Sequence, residues 1–116
     1  MPKSPLDLLL HIREECQYLE SIKSEISSKE ILLNSETYKR AVVRSLEIIG
    51  EASKSLGREF QAKWSEVEWR EMSLMRNILI HVYFGINYEI VWDVFVNKIP
   101  ELLEKVNEII ESESEE

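Results

Sequence analysis

Apolar residues recur every three or four positions along almost the whole of this 116-residue chain. That spacing constrains the fold more than any other feature. Leu9, Ile12, Cys16, Leu19, Ile22 and Ile26 form one stripe. A second runs through Tyr38, Val42, Ser45, Ile49, Ala52 and Leu56. A third carries Trp69, Met72, Met75, Leu79 and Val82, and a fourth Trp92, Phe95, Ile99, Leu102, Val106 and Ile109. A period near 3.6 places such residues on one face of a helix, whereas a strand needs alternation. Only 3 glycines and 3 prolines punctuate the chain, too few for a turn-rich β fold.

The helix boundaries are also written in the sequence. Ser4 followed by Pro5 and Asp7 combines a capping hydroxyl, a proline where no amide donor is needed and an acid at the positive helix end. Ser27 and Ser28 break the first helix, and Ile31 to Leu33 suits a single helical turn. Ser35 can cap the second long helix, which Gly57 stops. Residues 58–64 form a connector. Ser65 and Glu68 have the spacing of a capping box for the third helix, which Gly85 ends. Asn87 can cap the last, and Pro100 should kink it. The expected fold is therefore all-α: an up-and-down bundle of four main helices with short connecting helical turns, the last helix kinked near Pro100. Residues 1–110 make a single helical domain, and residues 111–116 an acidic, frayed tail.

Composition narrows the class. Apolar residues make up 44% and charged residues 31%, as in a folded soluble domain. One cysteine, Cys16, rules out an internal disulfide. The N-terminus lacks the apolar core of a signal peptide. The longest mostly apolar stretch, residues 78–86, is interrupted by His81 and is too short for a membrane helix. A cytoplasmic protein with no membrane partner is expected.

The chain has no glycine-rich phosphate loop, Cys-x-x-Cys pair or His-Glu-x-x-His motif. Its acids scatter over helix surfaces. Cys16 falls on the apolar stripe of the first helix and reads as a small core residue. His11 reads as a surface or half-buried structural histidine. With two histidines and one cysteine far apart, neither a metal site nor a cofactor is expected.

Residues 75–83, Met-Arg-Asn-Ile-Leu-Ile-His-Val-Tyr, depart from this pattern. At about 100° per residue, Arg76, Asn77, His81 and Tyr83 share a polar sector of about 160° in an otherwise apolar helix. Arginine offers a planar fork of donors for phosphate. Histidine can pass a proton near neutral pH. Asparagine one turn earlier can fix the imidazole, and tyrosine adds a modifiable hydroxyl. Such a set can hold a phosphodiester and activate a ribose 2′-hydroxyl. It can also serve as a polar network inside a bundle or as an interface.

Arg76-Asn77-x-x-x-His81-x-Tyr83 resembles the R-x4-6-H signature of the HEPN superfamily, in the form found in HepT-like ribonuclease toxins. The likeness extends through Arg44 to Ala52, Trp69-Arg70-Glu71, Tyr83 to Ile86, Glu89 to Trp92 and Ile99 to Leu102, about residues 5–110. Val82 departs, standing where many relatives have glycine. The resemblance implies a homodimer with two motifs across a cleft and metal-independent RNA cleavage. Arg76 and His81 would be catalytic, Arg76 on the scissile phosphate and His81 in proton transfer, with Asn77 in support. It also implies a nucleotidyltransferase antitoxin that blocks the toxin by AMPylation of Tyr83. The alternative is a non-catalytic helical subunit that docks such a nucleotidyltransferase.

The net charge of -8 opposes a broad electrostatic grip on RNA. Its distribution is uneven. Residues 1–36 carry a net charge of -3, residues 37–81 one of +2 and residues 82–116 one of -7. The motif-bearing middle is mildly basic, which permits a local cleft for RNA while excluding a general coat.

Overall fold

The computed structural model describes residues 3–81 and 85–115, with the side chains of residues 76–81 outside the description. Among the described residues the chain is all-α. Four long helices, α1 (Pro5–Ile22), α3 (Glu36–Ser55), α5 (Trp69–His81) and α7 (Ile99–Ser114), form a bundle. Three short ones connect them: α2 (Lys29–Leu33), α4 (Arg58–Lys63) and α6 (Tyr88–Asp93). A π-helical segment, Val94–Lys98, joins α6 to α7. α3 packs against both α1 and α5, and α7 packs against α1.

Most predicted caps form. Ser4 Oγ accepts from the Asp7 amide at 3.2 Å, and Ser35 Oγ from the Tyr38 amide at 3.1 Å. Asn87 Oδ1 accepts from the Glu89 amide at 3.0 Å. Ser28, expected only to break a helix, caps α2 through the Ile31 amide at 3.3 Å. α1 stops at Ile22 and Ile26 follows in the turn, yet Ile26 remains buried.

The capping box at Ser65 does not form, because α5 begins at Trp69. The Val67 amide donates back to Trp64 O at 3.3 Å, and the Trp69 amide to Val67 O at 2.9 Å. These bonds hold residues 64–69 in a turn that drives Val67 into the core. Burial of an apolar side chain is worth about 1.5–3 kcal/mol, more than a surface serine cap.

The core contains Leu9, Ile12 and Leu19 from α1, Leu46 and Ile49 from α3, Phe95 from the π segment and Ile99 and Ile109 from α7. Two serines are buried with them. Ser53 Oγ donates to the Ile49 carbonyl at 2.8 Å, inside its own helix. Ser45 Oγ donates to Glu15 Oε1 on α1 at 2.8 Å.

The disturbance expected near Pro100 takes a specific form. Pro100 lies in the first turn of α7, where a missing amide costs nothing within the helix. The π segment precedes it, and the Ile99 amide reaches back to the Val94 carbonyl. In an unbroken α-helix Pro100 would have served the Val96 carbonyl. Lys23, at the end of α1, supplies the donor instead, its Nζ lying 3.3 Å from Val96 O. Beyond Pro100, α7 runs on through Ser114, into the stretch expected to fray, and Lys63 Nζ pairs with Glu113 Oε2 at 2.9 Å. No helix among the described residues is long and apolar enough to cross a membrane.

Candidate functional site

Three positions of the polar sector read from the sequence, Arg76, Asn77 and His81, fall in α5, whose entry is fixed by Trp69. The Trp69 indole Nε1 donates to Trp64 O at 2.8 Å, and the Met72 amide donates to Glu68 O at 3.0 Å. Ser73 Oγ donates to Trp69 O at 2.7 Å, closing a side-chain bond one turn back. Trp69, Met72 and Met75 are buried and define the inward face. Arg70, Glu71 and Leu74 are exposed, Leu74 to 44%.

Arg76, Asn77 and His81 all fall within the backbone of α5, while their side chains lie outside the described residues. Tyr83 and Val82 lie outside the described residues altogether. The backbone register still relates the three helical positions. Asn77 precedes His81 by one turn. Leu74 and Arg70 stand seven and eleven residues before His81, at the register of the outward face. Arg76 follows Trp69 by seven residues and Met72 by four, at the register of the inward face. Arg76 and His81 are thus separated by about 140° around the axis.

The remaining candidates take the places expected of them. Cys16 is buried, and burial, followed by the charges of Glu20 and Glu15, pushes its thiol up to about 12. At neutral pH it carries no thiolate and is not a nucleophile. His11 is exposed, with Lys3 Nζ 2.8 Å from its Nε2. Among the described residues, no three His, Cys, Asp or Glu side chains converge on a point that could hold a metal ion.

The sequence reading missed a groove of about 430 Å³ beside the start of α5, which Arg58 and Arg70 line. Arg70 had a legible signal, its register with Asn77 and His81. Arg58 had none, because its place in the groove depends on the tertiary path of the chain between α4 and α5.

An all-α bundle places the chain among small helical domains, a class that hosts many functions. The family description "HepT-like: Ribonuclease HepT-like" matches residues 12–109. The chain belongs to this HepT-like family of ribonucleases. It is 47% identical over 112 residues to "Putative RNase TTE0752" of Caldanaerobacter subterraneus subsp. tengcongensis, covering 96% of this chain and 98% of that protein. It is 42% identical over 111 residues to "Putative RNase MJ0127" of Methanocaldococcus jannaschii, covering 95% and 91%. It is 38% identical over 109 residues to "Probable ribonuclease HepT" of Thermococcus cleftensis, covering 94% and 98%. No solved structure matches it significantly.

Proposed function

We propose that this protein is a metal-independent endoribonuclease toxin, with Arg76 and His81 as its catalytic residues and Asn77 in support. The observation that carries the reading is the occurrence of Arg76-Asn77-x-x-x-His81 on one helix of a HepT-like ribonuclease chain. The arginine binds the scissile phosphate and offsets the charge that builds on its oxygens. Histidine handles the proton as the ribose 2′-oxygen attacks phosphorus. The bond to the 5′-oxygen breaks, that oxygen takes up a proton, and a 2′,3′-cyclic phosphate remains on the upstream fragment.

Two copies of the chain bring two motifs to one cleft, doubling the local positive charge of the basic middle segment. In this reading the partner in the cell is a nucleotidyltransferase antitoxin that attaches adenylate to the Tyr83 hydroxyl. The added phosphate is negative and bulky, and in a cleft built for a phosphodiester it repels and excludes RNA. The toxin and antitoxin reside in the cytoplasm.

The test is a cleavage assay on unmodified RNA in EDTA. Wild-type protein should cut and leave cyclic phosphate ends, while His81→Ala should not. Equal cutting by His81→Ala would remove the assignment. A protein that binds the nucleotidyltransferase tightly but cuts no RNA would be a docking subunit instead.

A further inference from the structure

The basic side chains of this protein fall into two groups. Lys29, Arg40, Arg44, Lys98 and Lys105 each meet a carboxylate within 4.0 Å. Arg58 and Arg70 meet none among the described residues and make no hydrogen bond there. Both are exposed. They come from different elements, Arg58 from the first residue of α4 and Arg70 from the first turn of α5, and they line the same groove. Glu68 and Glu71 also line it, Glu68 with Lys98 Nζ 3.8 Å from its Oε2. The start of α5 adds the positive end of its dipole.

The groove is also aligned with the motif. Arg70, Leu74, Asn77 and His81 succeed one another by 4, 3 and 4 positions along the outward register of α5. Eleven residues at about 1.5 Å each separate Arg70 from His81 by about 16 Å, a span of a few nucleotides of extended strand. Exposed Leu74 lies between them, an apolar surface suited to the face of a base.

We propose that the α4–α5 groove is a phosphate subsite for single-stranded RNA, in which Arg58 and Arg70 hold the backbone a few nucleotides from the bond cut at His81. This rests on the ribonuclease reading for the position of the cut. Two guanidiniums without carboxylate partners are matched to phosphate by their fork of donors. Such contacts set the register of the strand and leave its sequence unread. The groove therefore governs affinity and substrate length.

The experiment titrates salt against binding of a fluorescein-labelled single-stranded RNA with 2′-O-methyl sugars, which the enzyme cannot cut. Each phosphate contact contributes about 0.7 to the slope of log K against log salt for single strands. The Arg58→Ala/Arg70→Ala variant should lower that slope by about 1.4 and weaken binding at low salt roughly tenfold. Arg58→Lys/Arg70→Lys should keep most of the slope. Arg13→Ala, which removes an unpaired cation on α1 away from the groove, should keep all of it. Helical circular dichroism and thermal melting of each variant confirm that the fold persists.

An unchanged slope in the double alanine variant, or no RNA binding by the wild type, would overturn the subsite. Displacement of the RNA by polyglutamate as readily as by unlabelled RNA would assign the groove to an acidic protein partner and overturn it too. A wild-type protein that binds with the predicted slope yet leaves unmodified RNA intact would retain the groove and remove the ribonuclease reading.

Discussion

The ammonium of Lys23, at the end of α1, donates to the carbonyl of Val96 in the π-helical segment at 3.3 Å. The contact joins positions 73 residues apart. It occupies an acceptor that the missing amide of Pro100 would otherwise leave to solvent. Lys23→Met keeps the aliphatic stem and removes the donor. We expect a loss of about 1 kcal/mol in chemical denaturation, since a hydrogen bond from a charged group is lost at a half-buried site. Pro100→Ala should restore an amide for Val96 and shrink the penalty of Lys23→Met. An equal penalty in both backgrounds would detach Lys23 from the proline.

Ser45 and Glu15 tie α3 to α1 in the same way, with the serine almost wholly buried. Ser45→Ala leaves a partly buried carboxylate with one fewer donor, at a cost of about 1–3 kcal/mol. Glu15→Gln can still accept the serine hydrogen bond and should cost less. Urea titration of the two variants checks the order.

Cys16 next to Glu15 makes the alkaline side of the stability curve informative. Its thiol ionises near 12 in the folded protein against an ordinary value of 9.0. Below pH 9 both states hold the proton and the group contributes no pH dependence. Above pH 9 the unfolded chain binds fewer protons, so stability falls with rising pH until the folded thiol ionises. The slope approaches about 1.4 kcal/mol per pH unit. Wild type and Cys16→Ala should therefore diverge in pH dependence between pH 9 and 11, and the native thiol should resist an aromatic disulfide reagent at pH 8. Rapid labelling of the native protein would contradict its burial.

Gly57 ends α3 with φ of +86° and ψ of 161°, a combination that side chains rarely adopt. A Cβ there would meet nothing within 4 Å. The cost of Gly57→Ala is thus conformational, about 1–3 kcal/mol, and cannot be relieved by trimming a neighbour. A melting temperature equal to wild type would show that the α3–α4 turn relaxes.

On the proposed toxin–antitoxin reading, Tyr83→Phe separates modification from cleavage. The variant should escape adenylate transfer when expressed with the nucleotidyltransferase, so its mass stays unmodified and it continues to cut RNA. Adenylate mass on the phenylalanine variant would move the modified site elsewhere.

The stripes of α1, α3 and α7 and the caps at Ser4, Ser35 and Asn87 were legible in the sequence, because each depends on residues within one or two turns. Ser65 misled for the same reason. Its spacing to Glu68 was local, whereas burial of Val67 and the bond from the Trp69 indole to Trp64 decided where α5 began. The π segment left no trace in the apolar pattern, since a widened turn changes backbone pairing more than side-chain period. The motif of α5 stood out as polar residues on an apolar helix. The Arg58–Arg70 groove did not, because an arginine's availability is set by which carboxylates the fold brings near it.

The packing of α1 against α7 has a consequence for the order in which the bundle assembles. α1 also packs against α3, its near neighbour in sequence, so those two helices can pair early. The contact of α1 with α7 joins residues 5–22 to residues 99–114 and closes a loop over most of the described chain. Closure over such a separation carries its entropic cost late. Docking of α7 is therefore the step that completes the bundle.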